Sequence, residues 1–237
     1  MTDISADHSG DPRIETCPDC AERTVMIYPK FERVWHWSQA GSIMVLFFTG
    51  LGMNGIHHVL SFEMAVKLHT LTALALLLLW LFATFWLFTT GNWKVFTPRI
   101  LGMFAVARYY AFGVFKGEHH PYQKNLSQRL NPLQALAYGA LKAFIFPLVW
   151  GTGLLYLTYN FWETVPNAPL WLEIIANLHL AVAYFVAGFV ILHIYLLTIG
   201  HKFRDGVRPM VTGKETVALT PEQEAYLERH EPWRLVD

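Results

Sequence analysis

Four long stretches of this chain contain no Asp, Glu, Lys or Arg: Val34 to Phe62, Leu68 to Trp93, Ala143 to Trp162 and Ile174 to Gly200. A helix needs about 20 mostly apolar residues to cross the hydrocarbon core of a bilayer, and each stretch reaches that length. The chain is therefore predicted to be an all-α integral membrane protein, a bundle of four transmembrane helices. Composition agrees, with 54% hydrophobic and 15% charged residues, apolar residues above the soluble average and charge below it. Nine Trp residues suit the aromatic belts at membrane interfaces. The formal net charge is zero, so no global basic field points to nucleic acid as a partner.

The cations between the stretches give the orientation. Arg13, Arg23, Lys30 and Arg33 precede the first stretch. Lys94, Arg99, Arg108, Lys116, Lys124 and Arg129 lie between the second and third, and Lys202, Arg204, Arg208 and Lys214 follow the fourth. The other two connections hold only Lys67. Positive residues stay inside, so both termini and the long middle loop are expected in the cytoplasm of a bacterium, with the helices in its inner membrane. The polar first 30 residues lack an apolar h-region, so no cleavable signal peptide is expected.

Residues 1–30 read as a polar tail without regular structure, 31–204 as the membrane domain, and 205–237 as a second cytoplasmic tail. Within the membrane domain the helices are predicted at about Phe31–His57, Phe62–Thr90, from Asn131-Pro132 onward, and Leu170–Lys202. Pro at an early helical position is harmless, whereas Pro147 should bend the third helix. The loop at residues 91–131 is long enough for structure of its own, and Pro98 to Gly117 reads as an interfacial amphipathic helix. Thr220-Pro221-Glu222-Gln223 has the form of a capping box and predicts a short soluble helix. No internal repeat stands out. Cys17 and Cys20 supply two ligands where a structural zinc needs four. Ala21 follows where a covalent haem attachment would need His.

Eleven histidines occur, and their depth matters more than their number. His179 and His193 lie in the fourth helix, four turns apart, hence on one face and roughly 21 Å apart along the axis. His36 stands near the inner start of the first helix and His69 near the outer start of the second. Antiparallel topology puts His36 level with His193, and His69 level with His179, which makes two stacked bis-histidine sites. Neutral imidazole is a good axial ligand for haem iron, and ionisable residues inside spans are usually functional. Two b haems are the expected cofactors: His36–His193 at the inner level and His69–His179 at the outer level. His57 or His58 is an alternative outer ligand. Gly41, Gly50, Gly52 and Gly188 would let a flat macrocycle approach helix backbones. Arg33, Lys202 and Arg204 are candidates for pairing with inner propionates, and His201 for a propionate or quinone contact.

These residues carry a family resemblance. Arg33-Val34-Trp35-His36-Trp37, His69 at the start of the second helix, Asn131-Pro132-Leu133-Gln134 before the third, and the His179/His193 pair resemble the cytochrome b subunits of respiratory formate dehydrogenases, nickel–iron hydrogenases and thiosulfate reductases. The resemblance spans about residues 28–205. It implies the same two haem pairings and a quinone site beside the inner haem, with Asn131 contributing to it. Asn131 is also a natural helix N-cap. The resemblance further implies a periplasmic iron–sulfur or multihaem partner that exchanges electrons with the outer haem. The inner haem would pass them to or from the quinone pool. The chain would then be an electron-transfer subunit of a respiratory oxidoreductase complex. The tails, with Cys17 and Cys20, depart from shorter members and leave room for an extra cytoplasmic partner. Two other functions compete: a self-contained quinone-linked superoxide oxidase of the b561 type, and a haem-free membrane anchor or small transporter.

Overall fold

The computed structural model describes residues 21–97, 100, 102–118, 129–198 and 203–236. It is mostly helical. Strand β1 covers Ala21–Met26, and helix α1 follows at Lys30–Met53. Helix α2 is Phe62–Thr90, with the hydroxyl of Ser61 accepting from the Met64 N–H at its start and Gly91, at φ 74°, closing its end. After a 3-10 turn at Asn92–Phe96, α3 covers Met103–Arg108, and helical turns continue it to Lys116. This is the segment expected to be helical between the second and third spans.

Asn131 opens α4, Pro132–Ala140. Its side chain accepts from the Gln134 N–H at 2.8 Å and the Gln134 side chain accepts from the Asn131 N–H at 3.1 Å. A π turn at Leu141–Ile145 joins α4 to α5, Phe146–Leu157. Pro147 explains it: the missing N–H leaves a carbonyl of the preceding turn without its donor, and the wider turn re-pairs the backbone. Helix α6 is Ala168–Leu196, α7 is Phe203–Thr212, β2 is Lys214–Leu219, and α8 is Pro221–His230 with the expected Thr220–Gln223 capping box.

Among the described residues three helices are long and apolar enough to cross a membrane: Phe62–Thr90, Pro132–Leu157 and Ala168–Leu196. The fourth expected span, α1, has 24 residues and carries Lys30, Glu32 and Arg33 in its first turn. Large apolar side chains stay exposed on the spans, for example Phe85, Phe144 and Ile191. That is the pattern of a surface meant for lipid rather than water. The backbones pack most closely in two pairs, α1 along α2 and α5 along α6.

The tails correct one expectation. The polar stretch before residue 30 is not without regular structure, because β1 pairs antiparallel with β2, Ala21 opposite Leu219 and Met26 opposite Lys214. Strand pairing needs a partner, and here it comes from the other end of the chain. Val25, Ile27, Val217, Leu219 and Leu227 form a small buried core with Tyr28 and Leu235 against it. This cap is tied to the start of α1. Arg33 Nη1 donates to the Val211 carbonyl at 2.6 Å and Trp37 Nε1 to the Met210 carbonyl at 2.9 Å. The Ile27 and Tyr28 N–H groups both donate to the Gly213 carbonyl, at 2.8 and 3.1 Å. Gly213 has φ 82°, and a Cβ there would stand 2.6 Å from the Tyr28 carbonyl oxygen, so only glycine fits the junction. The fourth long helix is also shorter than expected, ending at Leu196. Below, the end of the bundle that carries this cap is the capped end, and the other is the open end.

Candidate functional site

The two helix pairs face each other across four histidines. His36, in the second turn of α1, and His193, in the last turn of α6, lie at the capped level with ring centroids 6.5 Å apart. His69 of α2 and His179 of α6 lie at the open level, 6.4 Å apart. The separations are too long for a direct imidazole–imidazole hydrogen bond and nearly equal to each other. A metal–imidazole bond is about 2 Å, so two in line, with half a ring at either end, add to roughly 6 Å. Each pair thus has the spacing that a single metal between two rings requires. Among the described residues no three His, Cys, Asp or Glu side chains converge on a point. Two imidazoles alone suit a metal whose other positions a macrocycle already fills.

The ring nitrogens facing away from each gap are mostly engaged. His69 Nδ1 is 2.9 Å from Thr49 Oγ1, and His179 Nδ1 is 3.0 Å from Thr152 Oγ1 and 3.1 Å from the Val149 carbonyl. A carbonyl can only accept, so Nδ1 of His179 carries the proton and Nε2 keeps its lone pair. Each threonine hydroxyl donates one turn back, Thr49 to the Val45 carbonyl and Thr152 to that of Leu148, both at 2.8 Å, which leaves its oxygen free to accept from imidazole. His193 Nδ1 meets the Tyr138 hydroxyl at 3.2 Å, while His36 Nδ1 is buried with no hydrogen-bond partner. Partners of this kind fix the tautomer and ring angle of a ligating histidine.

Thr49, Thr152 and Tyr138 were not singled out from the sequence. A local signal for two of them is present: the tripeptide Thr-Gly-Leu occurs at residues 49–51 and again at 152–154. The glycine of the second copy lets the imidazole approach closely, since a Cβ on Gly153 would stand 3.1 Å from the His179 ring, whereas one on Gly50 would make an ordinary contact with the His69 ring at 3.7 Å.

Other expected residues fall in varied places. A Cβ at Gly41 or Gly188 meets nothing within 4 Å, so both leave room beside a helix backbone, whereas one at Gly52 would meet His57 at 2.8 Å. His57 stacks on Phe48 at 4.4 Å, and its Nε2 donates to the Phe48 carbonyl at 2.7 Å. That nitrogen is spent on the end of α1. Arg33 spends one nitrogen on the cap, and Arg204 is exposed in the first turn of α7. His201, Lys202, Cys17 and Cys20 lie outside the described residues. Asn131 is buried and uses both ends of its amide, accepting from Gln134 and donating from Nδ2 to the Tyr110 hydroxyl at 3.3 Å. Desolvation, partly offset by that bond, pushes the Tyr110 phenol above its ordinary value.

The threonine partners are open to test. Thr49→Val, which keeps the shape and removes the hydroxyl, should weaken retention of a metal–macrocycle at the open level about tenfold. That is the low end of the range for such partners, since Thr152 and a backbone carbonyl still hold the opposite ring. Transfer of the bound group to an excess of an apo acceptor protein measures it. Equal transfer rates for Thr49→Val and wild type would show that packing alone sets the ring.

Comparison with known proteins points the same way. A family model described as prokaryotic cytochrome b561 matches residues 27–213, a span that contains all four histidines. A relative from Escherichia coli (strain K12) that bears the name cytochrome YdhU is 31% identical over 198 residues, covering 80% of this chain and 74% of its own. No solved structure matches.

Proposed function

Because the chain belongs to the prokaryotic cytochrome b561 family of membrane cytochromes, which carry electrons on haem b, we propose that it is a four-span, di-haem subunit linking a partner redox protein to the quinone pool. The observation that carries the reading is the pair of facing imidazoles, 6.5 and 6.4 Å apart, at two levels of one bundle. Haem b, when bound, supplies a one-electron iron couple. His36 and His193 would hold one haem and His69 and His179 the other, and two imidazoles for each would favour electron transfer over chemistry on iron. Thr49, Thr152 and Tyr138 hold the ring planes, so little reorganises between oxidation states. The apolar spans keep water from the path between levels.

In this reading α1 is the fourth span, for its 24 residues would extend about 36 Å. The capped end would lie on the cytoplasmic side of a bacterial inner membrane, a placement that the cation distribution supports. The connections at the open end are short and hold too little chain for a donor domain. A separate periplasmic iron–sulfur or multihaem subunit would dock there. The quinone would react at the capped end, where Asn131, Gln134 and Tyr110 bring polar groups near the His36–His193 level and near water.

The test uses the haem-loaded purified chain and a soluble quinol. Rapid reduction of haem by quinol is expected. Asn131→Ser keeps a capping hydroxyl but removes the amide, and should slow that reduction about tenfold with both haem spectra unchanged, a loss of one hydrogen bond's order. Quinol that leaves wild-type haem oxidised would sink the quinone linkage. Normal kinetics in Asn131→Ser would reduce Asn131 to a helix cap.

A further inference from the structure

The span Pro132–Leu157 contains a single Asp, Glu, Lys or Arg, and it is Lys142, the eleventh residue. In the other two spans such residues, Glu63, Lys67 and Glu173, keep to the first two turns. A cation this deep is costly and usually functional. Helix formation does not ask for it, since Leu141 and Ala143 on either side are apolar. It sits in the π turn Leu141–Ile145, a kind of irregularity frequent at functional sites.

Its surroundings point it at one of the two levels. Nζ lies 3.7 Å from the centroid of Trp35 and 5.2 Å from that of Phe96, so two ring faces stabilise the charge. Trp35 immediately precedes His36, and its Nε1 is buried without a hydrogen-bond partner. On its own helix, Lys142 stands about one turn past Tyr138, whose hydroxyl meets His193 Nδ1. The ammonium thus packs on the chain neighbour of His36, and its helix carries the hydrogen-bond partner of His193. Glu32, the carboxylate whose field reaches Lys142, is already paired with Arg129 at 2.8 Å. At the open level Lys67, two residues before His69, is exposed rather than held against a ring near the histidines.

Resting on the di-haem reading above, we propose that Lys142 is a positioning charge that raises the reduction potential of the capped-level haem over that of the open-level haem. A positive charge favours the ferrous over the ferric state of a neighbouring iron by simple Coulomb attraction for the added electron. At roughly 10 Å and an effective dielectric of about 20, one charge changes such an equilibrium on the order of tenfold. The bias draws electrons from the open end toward the capped end, where the quinone would take them.

The experiment is a potentiometric titration of the purified, haem-loaded full chain in mildly acidic buffer. It compares wild type, Lys142→Gln and Lys142→Arg, with the two components assigned by their loss in His193→Ala and His69→Ala. In Lys142→Gln the capped-level midpoint should fall by about tenfold in equilibrium, 59 mV for one electron, with the open-level midpoint unmoved. Lys142→Arg, which keeps the charge, should restore most of it. Lys142→Met serves as the second neutral variant if Lys142→Gln does not accumulate. Midpoints unchanged in the neutral variants, both midpoints moving together, or Lys142→Arg behaving like Lys142→Gln would each overturn the proposal. A wild type with fewer than two components would instead overturn the di-haem reading itself, and this proposal with it.

Discussion

His193→Ala should purify with one haem b per chain where the wild type holds two, and the component lost should be the one at the capped level. His179→Ala should lose the other. The expectation follows from geometry, since each imidazole has one facing partner, 6.5 Å away for His193 and 6.4 Å for His179. Removing one ring leaves a single imidazole and a cavity at that level. His57 is the nearest rival at the open end, and its Nε2 is already bound to the Phe48 carbonyl at 2.7 Å. His69→Ala should therefore fail to be rescued. A pyridine haemochrome assay gives the count, and a redox titration identifies the missing component. Two haems retained in His69→Ala would return His57 or His58 to the role of ligand. One haem or none in the wild type would reject the paired sites altogether.

Arg129→Ala should destabilise the capped end by about 3–5 kcal/mol, the usual cost of stranding one partner of a buried ion pair. Arg129 and Glu32 meet at 2.8 Å with side chains only 13% and 11% exposed. The same guanidinium donates to the Ile27 carbonyl at 2.8 Å, reaches Asn92 Oδ1 at 3.5 Å and stands 5.7 Å from the centre of the Tyr28 ring. One side chain therefore joins the β1 segment, α1, the turn after α2 and the start of α4. Without it the Glu32 carboxylate would be buried alone, since the protein interior offers it no equal replacement for water. Arg129→Met combined with Glu32→Gln should recover most of the loss, because both charges leave together. Denaturant unfolding in detergent, with protease sensitivity of the cap as a second readout, measures both. An Arg129→Ala protein as stable as wild type, with its cap equally protected, would show the pair to be solvated and weak.

Much of this was legible in the chain because it is written in short-range patterns. Freedom from charge marks a span wherever it occurs, and the capping boxes at Asn131 and Thr220 depend on residues three apart. The depth of His179 and His193 on one helix follows from helical rise alone. Even the threonines have a local sign in the shared Thr-Gly-Leu, though three residues carry little weight on their own. The first span is the instructive case of partial legibility. Its charge-free window begins at Val34, yet the helix begins at Lys30 and takes three charged residues into its first turn, so a window of composition and a helix are not the same object.

By itself, then, the sequence determined the helices, their order and the levels at which histidines stand, since each depends on neighbours within a few turns. Only the tertiary structure decided that β1 and β2, almost a whole chain apart, close a cap over one end. It alone decided that Arg129 would bind Glu32, that Thr49 and Thr152 would hold the open-level rings, and that Lys142 would rest on Trp35. The physical reason is the same in each case. A strand edge, a buried charge or an imidazole N–H must find a partner, but its chemistry does not say which of many distant groups will be brought within 3 or 4 Å, on the order of a hydrogen bond or a ring contact. The packing of the helices makes that choice.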